Sequence, residues 1–471
     1  MNMLIRRPND RFMMAYVTFA MFFIVVAFRI FVSKNIAVTL LPAVILLLGT
    51  ILFSLQRKTK LYVGSIVNKG DFLLYGFFVL LLVLCTFRSN LSTASMVGNT
   101  NDAAVLLLLN LYGYVCFSYL FRRYENINIA RFVLLGPVIV FVLATVFYIL
   151  NYNSLPSVEG NFRTKPLFLT LLGFNVENKV LQFKSDSDRI HPNTLGIIGG
   201  ALLSAYLVGI NTIKIYRLQW SVLVALMALG AMVLIADSRV TVLNTLITVG
   251  VVYALIRYKK LQTLPYLAVV FPFFPFISLF LLEFIASTEL AQLFSKSEAG
   301  TDIASGSERA TIWLYCLQEL MDFKLIHLIG FGDYGHYGAG VSQQYAFVFG
   351  PDGSDDMVTH NAFYQAFFDV GYLGVLVYLA VLYKVVRSAI FLFYQGVEVA
   401  RLYLGFITYY ILSGSFESTF NSYNKLYNLI FLLLCIAVFT HKNQVLKQAK
   451  DTSAVPQDSR TPLITRKELT T

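Results

Sequence analysis

The sequence predicts an all-α, polytopic membrane protein of about 12 transmembrane helices with one large loop. Hydrophobic residues make up 57% of its 471 residues, charged residues only 13%, and the mean hydropathy is +0.67. This balance is unlike that of a soluble globular domain. Apolar runs of about 16–24 residues recur along the chain, close to the ~20 that a helix needs to cross a bilayer. Alternating ten-residue strands of a membrane barrel are not seen, so helices are expected.

Twelve apolar runs are interpreted as spans. They cover residues 12–32, 36–55, 71–87, 102–121, 132–150, 194–210, 219–236, 242–256, 264–282, 361–383, about 402–415 and about 425–440. The first run lacks a small-residue cleavage site and is long enough to remain as an anchor. In the ninth run, Pro272 and Pro275 predict a kink. The last three runs are the least regular, because Arg387, Glu398 and Arg401 interrupt them.

The basic residues predict the orientation of these spans. A net charge of +11 could indicate nucleic acid, but Lys and Arg concentrate in short loops between alternate spans, which is the positive-inside pattern. Both termini are therefore expected in the cytoplasm, and no nucleic-acid partner is expected. Residues 1–440 form the membrane domain, in which 283–360 is a large outer loop with short helices. Residues 441–471 form a polar cytoplasmic tail, expected to be disordered or frayed.

Neither a metal nor a disulfide framework is predicted. The chain has four cysteines, Cys85, Cys116, Cys316 and Cys435. They form no CxxC pair, so a disulfide framework and a zinc site lack support. The outer loop also holds an acidic cluster, Asp352, Asp355 and Asp356. This cluster lacks the spacing of a firm metal site, and no metal is expected there.

Two arginines stand out on the outer side. Arg239 in ADSRVT lies where the seventh span becomes the eighth, on the side that the positive-inside rule disfavours, although a snorkelling arginine is an alternative. Arg309 follows the capping-box pattern of Ser305 to Glu308 and falls in the first turn of an amphipathic helix. A cation there opposes the helix dipole unless it meets an anion such as phosphate. The alternative is an exposed arginine paired with a nearby glutamate.

Two histidine motifs follow in the same loop. GFGDYGHYGAG is either a phosphate-binding nest or, more in keeping with its lack of a P-loop pattern, a flexible turn, and His336 within it is a candidate ligand or positioning residue. His360 and Asn361 directly precede the tenth span. They are either a helix entry with Asn361 or Thr359 as its cap or, for His360, a general base, because imidazole titrates near neutral pH. His191 before the sixth span is similar, but the capping interpretation is stronger there.

Taken together, these motifs resemble the O-antigen ligase/polymerase superfamily. The resemblance rests on RIHPNTLGIIGGALL, ADSRVT, SERATIWLYCLQEL followed by IGFGDYG, and THNAFYQAFFDVGYLGVLVYL, and it covers about residues 185–380. It implies a GT-C-like fold and a bacterial inner-membrane enzyme whose site faces the periplasm. It assigns Arg239 and Arg309 to pyrophosphate binding and His360 to catalysis. Further donor or glycan contacts would be Arg189, His336 and Asn361, with no metal and no cofactor.

The expected function is therefore a glycosyltransferase with an undecaprenyl-pyrophosphate-linked glycan donor. The first interpretation is a polymerase that joins lipid-linked repeat units with inversion. The alternatives are a ligase that transfers the polymer to lipid A-core, a protein O-glycosylating enzyme and, from another class, a polysaccharide transporter or flippase. Expected partners are the donor, the glycan acceptor, membrane lipid and a chain-length regulator protein. Arg239, Arg309 and His360 are expected to converge on a cavity at the outer membrane face.

Overall fold

The computed structural model describes a helical chain. It covers residues 16–22, 44–52, 69–90, 96–123, 129–157, 170, 173, 177, 179, 192–210, 220–236, 238–271, 309–349, 358–420 and 425–453. Of the described chain, 85% is helical, and these residues contain no strand, only an isolated bridge between Ser157 and Lys179. The all-α prediction is confirmed for this part of the chain.

Eleven longer helices organise the described residues. In chain order they are α1 (Lys69–Phe87), α2 (Met96–Arg123), α3 (Ile129–Leu150), α4 (Pro192–Val208), α5 (Trp220–Ile235), α6 (Arg239–Arg257), α7 (Leu264–Val270), α8 (Arg309–Met321), α9 (Ala362–Tyr394), α10 (Ala400–Gly414) and α11 (Lys425–Ser453). Short helical turns cover Tyr152–Ser154, Leu261–Thr263, Leu325–Leu328, Gly335–Gly338, Val341–Tyr345 and Ala346–Phe349. Residues 16–22 and 44–52 are also helical.

Six of these helices, within the described ranges, are long and apolar enough to cross a membrane: α1, α2, α3, α6, α9 and α11. The predicted third to eighth spans coincide with α1 to α6, with bounds that differ by a few residues. Most of the first and second predicted spans lies outside the described residues. The same holds for the ninth span beyond residue 271, including the predicted kink at Pro272 and Pro275.

The predicted frayed tail is wrong over its first part, because α11 continues to Ser453. One reason is local, since Lys, Gln, Leu and Ala after residue 441 are good helix formers. The other reason is tertiary. Lys442 Nζ donates to Asp71 Oδ2 of α1 at 2.7 Å and to Ser388 Oγ of α9 at 3.2 Å. Lys384 Nζ of α9 lies 3.6 Å from the other oxygen of Asp71.

Contacts between α1 and α9 show which residues of the two helices lie at the same level of the bundle. Asp71, near the start of α1, meets Lys384, and Cys85, near its end, donates to the Asp369 carbonyl oxygen. Between these two levels, the ring of Phe78, at the centre of α1, stacks on Tyr378 with centroids 5.5 Å apart. The two helices are therefore antiparallel, and Tyr378 marks the middle of α1.

The tenth predicted span is not one straight helix, because α9 folds back at Gly371. Gly371 has φ 71° and ψ −177°, which are not helical values. The ring centroids of Phe363 and Tyr378 are 5.8 Å apart, although these residues would lie roughly 22 Å apart along a straight helix. Ala362 therefore begins α9 near the middle of the bundle, and residues 362–370 run outward to the turn.

The glycine-rich loop packs against this turn. Phe331 and Gly332 donate their N–H groups to the carbonyl oxygens of Phe368 and Asp369, at 2.7 and 3.0 Å, and Asp333 donates to the Cys85 carbonyl oxygen at 3.0 Å. The first two bonds satisfy carbonyl groups that the break at Gly371 leaves without helical partners, and the third satisfies a carbonyl group in the last turn of α1. Because these three N–H groups are used within the chain, they do not form a phosphate nest. The loop packs against the end of α1 and the turn of α9 and is hydrogen-bonded to both.

Replacing Gly330 by alanine is expected to lower the free energy of unfolding by on the order of 3 kcal/mol, because φ is positive and a side chain would clash. Gly330 has φ +75°, and an added Cβ would lie 2.5 Å from the Asp369 carbonyl oxygen and the Gly371 nitrogen. The measurement is thermal unfolding in detergent. Gly230→Ala is the matched control, since a Cβ there meets nothing within 4 Å. Equal melting temperatures for both variants would contradict the packed loop.

Candidate functional site

Arg309 begins α8 and is paired inside the protein. Its Nη2 donates to Glu417 Oε1 at 2.7 Å, and its Nη1 donates to the Phe416 carbonyl oxygen at 2.8 Å. The expected partner was an anion such as phosphate or, if the arginine were exposed, a nearby glutamate. The observed partner is a buried glutamate in the turn between α10 and α11, far away in the sequence.

His360 meets the same carboxylate. Its Nδ1 lies 3.4 Å from Glu417 Oε2, so the two oxygens of Glu417 face the guanidinium and the imidazole respectively. The exposed side-chain fractions are 14% for Arg309, 6% for Glu417 and 19% for His360. The carboxylate is therefore covered, while the two groups that it holds remain partly accessible. We call these three residues the Glu417 cluster.

The residues on either side of His360 fix its position. Asn361 Oδ1 accepts from the backbone N–H groups of Phe363 and Tyr364, at 2.8 and 3.0 Å, which confirms the cap interpretation. Its Nδ2 donates to the Ser415 carbonyl oxygen at 2.9 Å. On the other side, Trp313 Nε1 of α8 donates to the Thr359 carbonyl oxygen at 3.0 Å.

These bonds hold His360 in a left-handed backbone conformation with φ +50°. For a residue other than glycine this costs of order 1 kcal/mol or more and persists only where the surroundings enforce it. Strained residues of this kind cluster at functional sites. The backbone therefore aims the imidazole at Glu417 at an energetic cost that the cap and the Trp313 bond offset.

Glu417 carries a negative charge in the folded protein. Burial raises the pKa of this carboxyl, but the charge of Arg309 and the contact with His360 outweigh burial and lower the pKa to about 2. The carboxylate is therefore ionised at neutral pH. Sequence reasoning missed Glu417. The available signal was its place in a short polar break between the last two apolar runs, on the side where Arg309 and His360 were expected.

The Glu417 cluster is recessed in the bundle, whereas His360 was expected at the end of a span. The Phe420 ring, just after Glu417, lies 5.1 Å from the Tyr378 ring, at the level of the middle of α1. At this level α10 ends, since a Cβ on Gly414 would lie 3.2 Å from Ala362 Cβ. The cluster therefore lies deeper in the bundle than the end of a span, and its position relative to the outer membrane face stays a prediction.

Two helices begin at the cluster, α8 at Arg309 and α9 at Ala362. Ile312, Cys316 and Leu320 of α8 pack with Phe368 of α9 in one buried apolar group. The first turn of a helix presents N–H groups with a partial positive charge, which favours anions. At the start of α9, the N–H groups of Phe363 and Tyr364 already donate to Asn361 Oδ1, so the positive charge beside Glu417 comes chiefly from Arg309.

Arg239 begins α6, as expected for a residue between the seventh and eighth spans, but its side chain lies outside the described residues. Thr241, two residues further on, packs close to Gly200 of α4, and so does Tyr409 of α10. A Cβ added to Gly200 would clash with both side chains. The start of α6 therefore contacts the helix that leads to Glu417. The structure brings Arg309 and His360 together, and the convergence of Arg239 on them stays a prediction.

The other candidate residues fall into two groups. His336 and Asn361 are completely buried, so a direct glycan contact would require both to be uncovered. His336 Nδ1 lies 3.2 Å from Gln365 Nε2 of α9, and Gln365 Nε2 also donates to Asp369 Oδ1 at 2.8 Å. Arg189, His191 and the acidic cluster from Asp352 to Asp356 lie outside the described residues. Among the residues that are described, no group of three or more His, Cys, Asp or Glu could hold a metal ion.

Comparison with known proteins adds no relative to this picture. No family model matches the sequence, and no curated protein matches it. The arrangement itself defines what the site can do. A buried carboxylate orients a partly accessible imidazole, and the guanidinium of Arg309, at the start of α8, binds the other carboxylate oxygen. Such a site can bind an anionic group and accept a proton from a hydroxyl group next to it.

Proposed function

We propose that the chain is a membrane glycosyltransferase that polymerises undecaprenyl-pyrophosphate-linked oligosaccharide repeat units. The proposal includes a GT-C-like bundle of twelve spans in the bacterial inner membrane, with cytoplasmic termini and a site open to the periplasm. The observation that carries it is the meeting of Arg309 and His360 on the Glu417 carboxylate. The motifs that resemble the O-antigen ligase/polymerase superfamily supply these same two residues.

The chemistry of the transfer suits this pair of groups. His360 takes the proton of the acceptor sugar hydroxyl, whose oxygen attacks the anomeric carbon of the donor from the face opposite the pyrophosphate. The bond between that carbon and the pyrophosphate oxygen breaks, and undecaprenyl pyrophosphate leaves with the electron pair. The anomeric centre is inverted. Arg309, with Arg239 as the expected second cation, neutralises the leaving group.

Glu417 has the role of the group that orients the base. An N–H on Nδ1 of His360 points at Glu417 Oε2, which leaves Nε2 as the proton acceptor. This arrangement follows the logic of a nucleophile, a base and an orienting carboxylate, with the acceptor hydroxyl as the nucleophile. A metal ion is not needed in this scheme, since the leaving group is already a good one.

Two other functions compete with the polymerase. A ligase that transfers finished polymer to lipid A-core, or an enzyme that transfers glycan to protein, would use the same donor chemistry. A transporter or flippase of lipid-linked glycan has one observation in its favour, because helices that begin inside a bundle around charged groups are typical of secondary transporters. In the polymerase, the expected partners are the lipid-linked donor, a lipid-linked acceptor, membrane lipid and a chain-length regulator protein.

Gel analysis of surface polysaccharide after deletion of the gene separates these functions. A polymerase deletion leaves a single repeat unit on the lipid A-core, and the wild-type gene restores the ladder. Polymer that stays on undecaprenyl pyrophosphate identifies a ligase, and loss of repeat units from the outer face of the membrane identifies a flippase. An unchanged ladder in the deletion strain would refute the proposal. Glu398→Gln, at an exposed position outside the cluster, is the control for complementation.

A further inference from the structure

Glu417 is already paired with Arg309, the cation that an anionic donor would bind. Its Oε1 accepts the 2.7 Å hydrogen bond from Arg309 Nη2, and the ion pair is largely buried. A phosphate group and a carboxylate compete for the same guanidinium fork, because both are planar or tetrahedral oxyanions that accept paired N–H donors. Two anions cannot both lie against one buried arginine without repulsion. A donor must therefore displace Glu417 from Arg309 or bind against its charge.

The carboxylate has a second partner to which it can turn. Glu417 Oε2 lies 3.4 Å from His360 Nδ1, longer than a strong charge-assisted hydrogen bond, while the contact with Arg309 is short. In the structure, the charge of Glu417 is therefore directed mainly at Arg309. When an anion neutralises Arg309 instead, the same carboxylate is left to interact with the imidazole.

We propose that Glu417 is an exchangeable counter-anion, which neutralises Arg309 while the site is empty and transfers its charge to His360 when a pyrophosphate group takes Arg309. Donor binding and activation of the base are then coupled through one carboxylate. The imidazole becomes a strong proton acceptor only when a donor is present, which disfavours its activation in an empty site. This inference rests on the proposed function for the identity of the anion, and it concerns the regulation of the same site.

The test is the affinity of the full-length protein for inorganic pyrophosphate, measured by isothermal titration calorimetry in detergent. Glu417→Gln removes the competing charge and keeps the shape of the side chain, so this variant is expected to bind pyrophosphate about tenfold more tightly than the wild type. Its glycan transfer is expected to fall, because an amide orients the imidazole less strongly than a carboxylate. Glu398→Gln, which removes an exposed charge elsewhere, is expected to leave the affinity unchanged.

A second measurement uses the wild-type side chain at Glu417, so it still tests the proposal if the Glu417→Gln variant fails to fold. Nitrogen-15 NMR of histidine-labelled wild-type protein, with His360→Asn to assign the signal, reports the state of both ring nitrogens. Pyrophosphate is expected to shift the Nδ1 and Nε2 signals of His360 and to leave His327 unchanged. Equal or weaker binding by Glu417→Gln, or His360 signals that pyrophosphate does not move, would overturn the exchange.

These results are separable from the proposed function. If pyrophosphate binds more tightly to Glu417→Gln and moves the His360 signals, but lipid-linked glycan is never joined, the exchange stands and the polymerase assignment fails. If the wild type joins repeat units while pyrophosphate leaves His360 unchanged, the polymerase assignment stands and the exchange fails.

Discussion

The rate of glycan transfer by the His360→Asn variant is expected to be about 10²–10⁴-fold lower than that of the wild type, because a positioned general base typically contributes this much. Asparagine is chosen because it tolerates the left-handed backbone conformation, with φ +50°, that His360 adopts. It keeps a polar side chain beside Glu417 but supplies no base near neutral pH. The variant should therefore stay folded, so that the loss reports chemistry and not misfolding.

The measurement is polymer length on surface polysaccharide gels, or product formation from purified lipid-linked repeat units. Asn361→Ala serves as a contrast, because it removes the helix cap next to His360 and should cost about 1 kcal/mol of stability without removing the base. A full-length polymer made by His360→Asn at normal abundance in the membrane would exclude His360 as the base.

The Arg309→Met variant is expected to lose both stability and transfer. Removing the guanidinium leaves the buried Glu417 carboxylate without its cation, and breaking a buried ion pair in this way typically costs about 3–5 kcal/mol. It also removes the group expected to neutralise the leaving pyrophosphate. Arg309→Lys should recover part of both losses, since it keeps the charge but not the planar fork. Thermal unfolding and transfer assays measure the two effects separately.

The dependence of stability on pH distinguishes a charge effect from lost packing. In the wild type, the pKa of Glu417 is lowered to about 2 in the folded state, so its stabilising effect is complete above the unfolded pKa and is lost as pH falls toward 2. In Arg309→Met the main lowering cause is gone and burial raises the pKa, so the variant should gain stability as pH falls from neutrality to the unfolded pKa, whereas the wild type should lose stability below that pKa. A constant stability difference from pH 7 to pH 4 would show that packing alone was lost.

Adding Glu417→Gln to Arg309→Met should restore much of the stability, because it removes the uncompensated charge. Transfer should remain lost in this double variant, since neither the cation nor the orienting carboxylate is present. If the double variant is less stable than Arg309→Met, the ion pair between Arg309 and Glu417 is not the interaction that the cluster depends on.

The sequence by itself predicted the features that depend on neighbouring residues. Long apolar runs predicted the helices from α1 to α6, because a long apolar segment favours the helix, in which every backbone group is paired within the segment. A cap by Asn361 or Thr359 was also predicted, and Asn361 is the residue that bonds to the N–H groups two and three residues ahead. Arg309 and His360 stood out because their residue types are unusual where they lie in an apolar chain.

Only the tertiary structure decided which of these residues meet and where. The turn at Gly371 is hidden in the sequence, because the apolar pattern continues through it and the carbonyl groups that it frees are satisfied by the distant loop at Phe331 and Gly332. Glu417 was equally hidden, since a single acidic residue in a short polar turn is usually solvated. Burial of that charge requires partners, and Arg309 and His360 both come from other parts of the chain. Pairing between residues that are far apart in the chain leaves no local sequence pattern, so only the folded structure shows which residues meet.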